Sequence, residues 1–304
     1  MEKRTFLHCF SGEYRQAISH ASVPCAVSLN GGLFRVFLSS RDEDNRSFPS
    51  YIDVDLEGEY PEVKGISRTP VMELGKRGTF DDGGVMPTWI MRKGRDLWMY
   101  YIGWNLGVSV PFRNSLGLAI SHDNGDSFTR MFEGPILDRT KDEPHFVASA
   151  SVLDMQEYFT MVYLSCTEWH TTDDGKIMHK YHLKQTNSED GISWERPGNV
   201  AIDYSDKNEY AISRPSIIRI GEKYHMWFTH RGEAYRIGYA KSDDCHLWER
   251  DDSQSGIGPS KEGWDSNEVA YPNVVSHGER YFMFYNGDNY GRTGVGVGEL
   301  GFDL

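Results

Sequence analysis

Five copies of one strand pattern, a period near 63 residues and the lack of any sustained helical period predict an all-β fold. The architecture they predict is a five-bladed β-propeller, one domain over residues 1–304. Runs 97–103, 158–164, 224–230 and 281–287 are aromatic-rich and strand-forming. Each follows a short polar turn, and before each turn lies another strand at 86–90, 150–153, 214–218 and 271–275. The first unit reads alike: 23–29, the turn Asn30-Gly31-Gly32, then 34–41. A third strand follows at 116–130, 184–196 and 237–250, closing on a serine–acid turn, an aromatic and an arginine. The last unit ends in a truncated copy at 293–300. Anchors Pro24, Pro87, Ala150, Pro215 and Pro272 stand 63, 63, 65 and 57 residues apart. A propeller must close its circle, so a terminal strand is expected to complete one blade. Phe128, Trp194 and Trp248 recur at one blade position and are expected between blades. The glycine-rich run 294–298 sits in a strand and reads as close blade packing.

The composition narrows the function. A formal charge of −13 argues against nucleic-acid and anionic-membrane partners, which want Lys and Arg. No apolar run approaches the roughly 18 residues of a membrane span, and Met1–Tyr14 has no apolar core of a secretory signal. Cys9, Cys25, Cys166 and Cys245 form no CxxC pair and read as free thiols of a cytoplasmic protein. His145, His170 and His230 lie on different repeats without metal-ligand spacing, so neither a metal nor another cofactor is expected.

The hairpins followed by Ser121–Phe128, Ser188–Trp194 and Ser242–Trp248 resemble the five-bladed propeller glycosidases of families 43, 62, 32, 68, 117 and 130. The resemblance covers nearly the whole chain. Residues 38–47 also resemble an Arg-x-x-Asp-x-x-Ser segment of the family-130 mannoside phosphorylases and hydrolases, here Arg41, Asp44 and Ser47. The resemblance implies a carbohydrate-active enzyme, a glycoside hydrolase or phosphorylase. Two departures stand out. Val23 occupies the place of a family-43 aspartate, and Met86 that of a family-130 aspartate. They favour, as one alternative, a non-catalytic carbohydrate-binding propeller; Arg214 and Arg41 motivate another, an enzyme acting on a nucleotide-linked sugar.

Blade order places the site. Inner strands start at one face and second strands return to it, so both ends share a rim around the axis. The rim is rich in carboxylates, and glycosidic cleavage takes two of them, one protonated and one ionised. Glu143 and Glu268 are the expected acid and base, with Asp82 orienting substrate. Arg41, Arg214, His230 and Arg231 form a candidate anion site for a sugar phosphate, a nucleotide sugar or phosphate itself. Trp104, Trp169 and Tyr271 are expected to stack on sugar rings. Asp44, Glu168, Glu233 and Asp288 are expected to take hydroxyls.

Overall fold

The computed structural model of the protein describes residues 4–301. It is a five-bladed β-propeller of four-stranded antiparallel blades. From the axis outward, blade one is Ser19–Asn30, Leu33–Arg41, Ser47–Asp55 and Glu62–Ile66. Blade two is Gly84–Lys93, Asp96–Leu106, Phe112–Ser121 and Thr129–Arg130. Blade three is Val147–Asp154, Phe159–Thr171, Ile177–Ser188 and Asn199–Ile202. Blade four is Ala211–Ile220, Lys223–Arg231, Tyr235–Ser242 and Glu249–Arg250. Blade five is Ala270–His277, Arg280–Asn286 and Val295–Leu300, completed by the N-terminal strand Arg4–His8. That last pairing closes the circle and covers an otherwise open edge.

The blades are held by apolar packing. Phe128 meets Phe37 of blade one edge-on at 5.4 Å, and Trp194 meets Tyr100 of blade two at 6.4 Å. Trp248 donates from Nε1 to Gln185 Oε1 of blade three at 3.1 Å. The repeated aromatics thus join neighbouring blades, as their recurrence predicts. Gly296 packs against the Trp264 ring with no room for a Cβ. That explains the glycine run without any phosphate.

A second ring of contacts circles the axis. The residue after each anchor is small and polar: Cys25, Thr88, Ser151, Ser216 and Asn273. Thr88 Oγ1 accepts from Ala150 N at 2.6 Å, Ser151 Oγ from Ile217 N at 3.3 Å, and Ser216 Oγ from Val274 N at 2.9 Å. Asn273 Oδ1 accepts from Ala26 N at 2.8 Å, and the Ile90 amide faces the Cys25 sulfur. Each bond satisfies an amide of the next inner strand that no ladder reaches.

Every inner strand also loses register beside its anchor: between Ser22 and Cys25, Pro87 and Trp89, Ala148 and Ala150, Ser213 and Ser216, and Ala270 and Asn273. In four of the five bulges a non-glycine residue is left-handed: Val23 (φ 53°), Ser149 (38°), Arg214 (54°) and Tyr271 (57°). Such strain is costly, and here it turns side chains toward the axis.

Candidate functional site

At the bulged end, the axis opens into a cavity of about 310 Å³. Inner strands contribute Ser22, Val23, Met86, Ser149, Ser213 and Tyr271. Second strands contribute Arg41, Ile102 and Leu164; third strands contribute Phe112, Asn114, His179, Tyr181 and Tyr235. Tyr290, from the turn after blade five's second strand, covers one side. Its fold-over needs two consecutive left-handed residues, Asn289 (57°) and Tyr290 (59°), and Ser22 Oγ donates to its carbonyl at 2.5 Å.

Four phenols form a connected wall. Tyr181 and Tyr235 touch through their hydroxyls at 3.3 Å, and the Tyr235 ring lies 5.9 Å from Tyr271 and 5.5 Å from Tyr290. The Arg231 guanidinium lies 4.7 Å over the Tyr235 ring, and its Nη1 donates to Tyr290 Oη at 3.0 Å. Burial pushes Tyr181, Tyr235 and Tyr271 well above the usual phenol range, so all three remain protonated at neutral pH. His179, stacked on Tyr181 at 5.1 Å, is pushed down to about 4 by burial, with lesser contributions from His170 and Arg231. It is a neutral imidazole at pH 7, and its Nδ1 has no partner.

The expected site residues divide. Arg41 and Tyr271 line the pocket. Glu268 stands at the mouth, where its Oε1 accepts from Tyr235 N at 3.4 Å and its Oε2 from Asn289 N at 3.3 Å. Its charge helps to raise Tyr271. Asp288 is buried and lies outside the cavity lining. It accepts from the backbone N–H groups of Asn267 (3.0 Å) and Glu268 (2.8 Å), fixing the segment that carries Glu268.

The other expectations are corrected by position. Arg214 points along the axis but ends below the pocket floor, fully buried. Its Nη1 donates to Thr88 O (2.5 Å) and its Nη2 to Val23 O (3.0 Å) and Pro24 O (2.5 Å). It joins blades and lies outside the cavity lining. Trp104 lies flat against Gly83 and Gly84 and donates to Ser47 Oγ at 3.1 Å, outside the cavity. Trp169 packs edge-on against His179 at 4.9 Å, behind the wall. Asp82 caps a turn by accepting from Gly78 N at 2.7 Å. Asp44, Glu168 and Glu233 are exposed and away from the cavity; Asp44 pairs with Arg46 at 3.2 Å and Glu168 with Lys180 at 3.4 Å.

Glu143 is the largest correction. It is 3% exposed and receives Arg196 Nε at 2.7 Å, Ser165 Oγ at 2.7 Å and Tyr163 Oη at 3.0 Å. The same clamp recurs around the ring. Asp81 takes Arg130 (2.7 Å) and Tyr101 (3.2 Å), and Asp265 takes Arg4 (3.5 Å) and Tyr285 (2.8 Å). Glu209 takes Arg250 (2.7 Å) and His230 (2.8 Å), which places His230 in a clamp and not in the pocket. Each clamp ties an inner-strand entry to an arginine on, or just before, the outer strand of the same blade by a charge-assisted bond.

Burial pushes Glu209 up, but Arg250, His230 and the Ser205 amide outweigh it and hold it at about 2; Ser165, Arg196 and Lys184 likewise hold Glu143 below the usual range. A lowered carboxylate stabilises the fold above its unfolded value of 4.5, and the contribution is lost as pH falls through the folded value. His179 adds loss between 6.5 and about 4, where the unfolded imidazole takes a proton that the folded one refuses. Urea unfolding is therefore expected to show stability falling below pH 6.5 and more steeply below 4.5. A flat profile between pH 6.5 and 3 contradicts the clamp account.

Blade order missed Phe112, Asn114, His179, Tyr181 and Tyr235. All lie near third-strand starts, which return to the same face as second-strand ends, so the same argument carried one strand outward finds them.

No protein-family model matches the chain. It is 37% identical over 290 residues to two Mycobacterium tuberculosis proteins, Uncharacterized protein Rv1502 and Uncharacterized protein MT1551, covering 95% of this chain and of each of them. Its backbone is similar to a thermostable family-43 glycoside hydrolase (TM-score 0.69, 15% identity, 95% of this chain and 92% of that one). It is also similar to the endo-arabinase from Bacteroides thetaiotaomicron (0.60, 14%, 99% and 98%). The Bombyx mori GH32 beta-fructofuranosidase BmSUC1, solved with sucrose, is a third (0.63, 15%, 95% and 62%). At these identities the three share the fold.

Proposed function

Because the chain belongs to the family of the Mycobacterium tuberculosis protein Rv1502 and folds as five-bladed glycoside hydrolases do, we propose that it acts on the glycosidic bond of a small carbohydrate held in the axial pocket. The observation that carries this reading is the pocket itself. Its volume of about 310 Å³ falls at the small end of ligand sites. Tyr271, Tyr290 and Phe112 offer faces to sugar C–H groups, while Asn114, Ser149 and Ser213 offer hydrogen bonds. Glu268 supplies the acid. In its protonated form it gives its proton to the leaving glycosidic oxygen as the anomeric C–O bond breaks, and water or hydrogen phosphate forms the new bond to that carbon, its proton passing to solvent, from which the Glu268 carboxylate is reprotonated. All four cysteines, Cys9, Cys25, Cys166 and Cys245, are free thiols, which supports a cytoplasmic setting.

A second reading has its own observation. No carboxylate lines the cavity among the described residues, which suits a carbohydrate-binding propeller that performs no chemistry. One screen separates the two. The protein is incubated with panels of glycosides, with and without phosphate, and with nucleotide sugars, and products are weighed by mass spectrometry. Free sugar indicates hydrolysis and a sugar 1-phosphate indicates phosphorolysis. Binding of a glycan with no product from any panel moves the assignment to the binding protein.

A further inference from the structure

Elsewhere in the blades several arginines have carboxylate partners. Arg35 meets Asp53 at 2.8 Å, Arg130 meets Asp81 at 2.7 Å, Arg250 meets Glu209 at 2.7 Å and Arg280 meets Glu299 at 2.9 Å. Around the axis the pattern reverses. Arg41 Nη1 bonds only the Asn45 side chain (2.7 Å) and carbonyl (3.3 Å), and no carboxylate lies within ion-pair distance among the described residues. Arg231 rests on phenols, and Arg214, below the floor, rests on neutral oxygens. In a chain of net charge −13, Arg41 thus lines an axial cavity whose described lining holds no carboxylate, with Arg231 and Arg214 close by.

We infer that the pocket is an oxyanion site in which Arg41 binds a phosphate or carboxylate group. The carbohydrate taken there is then itself anionic, or inorganic phosphate meets it as co-substrate. This rests on the pocket being the carbohydrate site proposed above. Guanidinium suits the task because its planar N–H groups match such oxygens and it keeps its charge at any physiological pH. The Tyr271 phenol lies within the electrostatic reach of Arg41 and adds a neutral donor. His20, beside Arg41 and Arg292, is pushed down to about 4 by burial and then by those two charges. With His20 and His179 neutral, the positive charge of the site comes from arginine and does not change between pH 5 and 8.

The test is calorimetric binding at about 0.15 M salt of inorganic phosphate, a hexose 6-phosphate, a hexose 1-phosphate, a hexuronic acid and a neutral hexose. At least one anionic probe is expected to bind about 10-fold or more tighter than the neutral hexose. Arg41→Gln removes that preference, Arg41→Lys restores part of it, and both variants melt like wild type. Preference for phosphate alone marks a co-substrate, and preference for a sugar phosphate or uronic acid marks a charged substrate. Equal binding of anionic and neutral probes, no binding of any anion, or an Arg41→Gln variant with the preference intact overturns the inference. Oxyanion binding lost in Arg41→Gln with no glycoside ever cleaved leaves the inference standing and sinks the glycosidic reading. Cleavage of neutral glycosides indifferent to phosphate and to Arg41→Gln does the reverse.

Discussion

Glu143→Gln lowers stability by about 3 kcal/mol and the melting temperature by about 6 °C, and leaves the pocket's chemistry intact in the molecules that remain folded. The substitution keeps the shape of the side chain and removes its charge. Arg196, 2.7 Å away, and Lys184, 3.4 Å away, are then left as half-desolvated cations facing an amide. Removing one partner of a buried pair costs more than the pair contributes, because the other charge still has to be buried. Differential scanning calorimetry with an activity assay on the same samples checks this. A Glu143→Gln protein that melts like wild type but has lost turnover returns Glu143 to the reacting groups.

Glu268→Gln gives the opposite signature. Turnover falls about 100-fold or more, since amides cannot donate the proton that a positioned carboxylic acid gives. The melting temperature stays within about 1 °C of wild type, as expected for a substitution that breaks no buried pair. Glu268 is half-buried at the mouth, and its two acceptor contacts, at 3.4 and 3.3 Å, are long ones that an amide oxygen can partly keep. Steady-state kinetics on the best glycoside from the screen measures the drop. Unchanged kcat in Glu268→Gln removes the only carboxylate at the mouth that the reading assigns to chemistry.

The fold was legible because its repeat is written in residues the geometry needs. A bulge beside each of Pro24, Pro87, Ala150, Pro215 and Pro272 sets the spacing, and the aromatics Phe128, Trp194 and Trp248 mark the joins between blades. The candidate site was legible only in part, for two physical reasons. A carboxylate six or seven residues before the anchor in blades two to four resembles a catalytic ring, yet its partner is the arginine that ends the third repeat element, Arg130, Arg196 or Arg250. Those two repeating signals are the halves of one clamp, and pairing them requires knowing that inner-strand entry and outer strand meet in space. Depth is the second reason. Blade three's second strand runs 13 residues to Thr171, so Glu168 and His170 are carried beyond the cavity that Leu164 still lines. Strand ends give a face of the propeller, and strand lengths decide which side chains reach its axis.

The most direct test of the central claim is a crystal structure of the Glu268→Gln protein with the glycan that the screen selects. The account predicts the sugar in the axial pocket against Tyr271 and Tyr290, its anionic group or a phosphate on Arg41, and the glycosidic oxygen within hydrogen-bond reach of residue 268. A glycan bound on the outer surface, at Trp104 or Glu168 with the axial pocket empty, contradicts it.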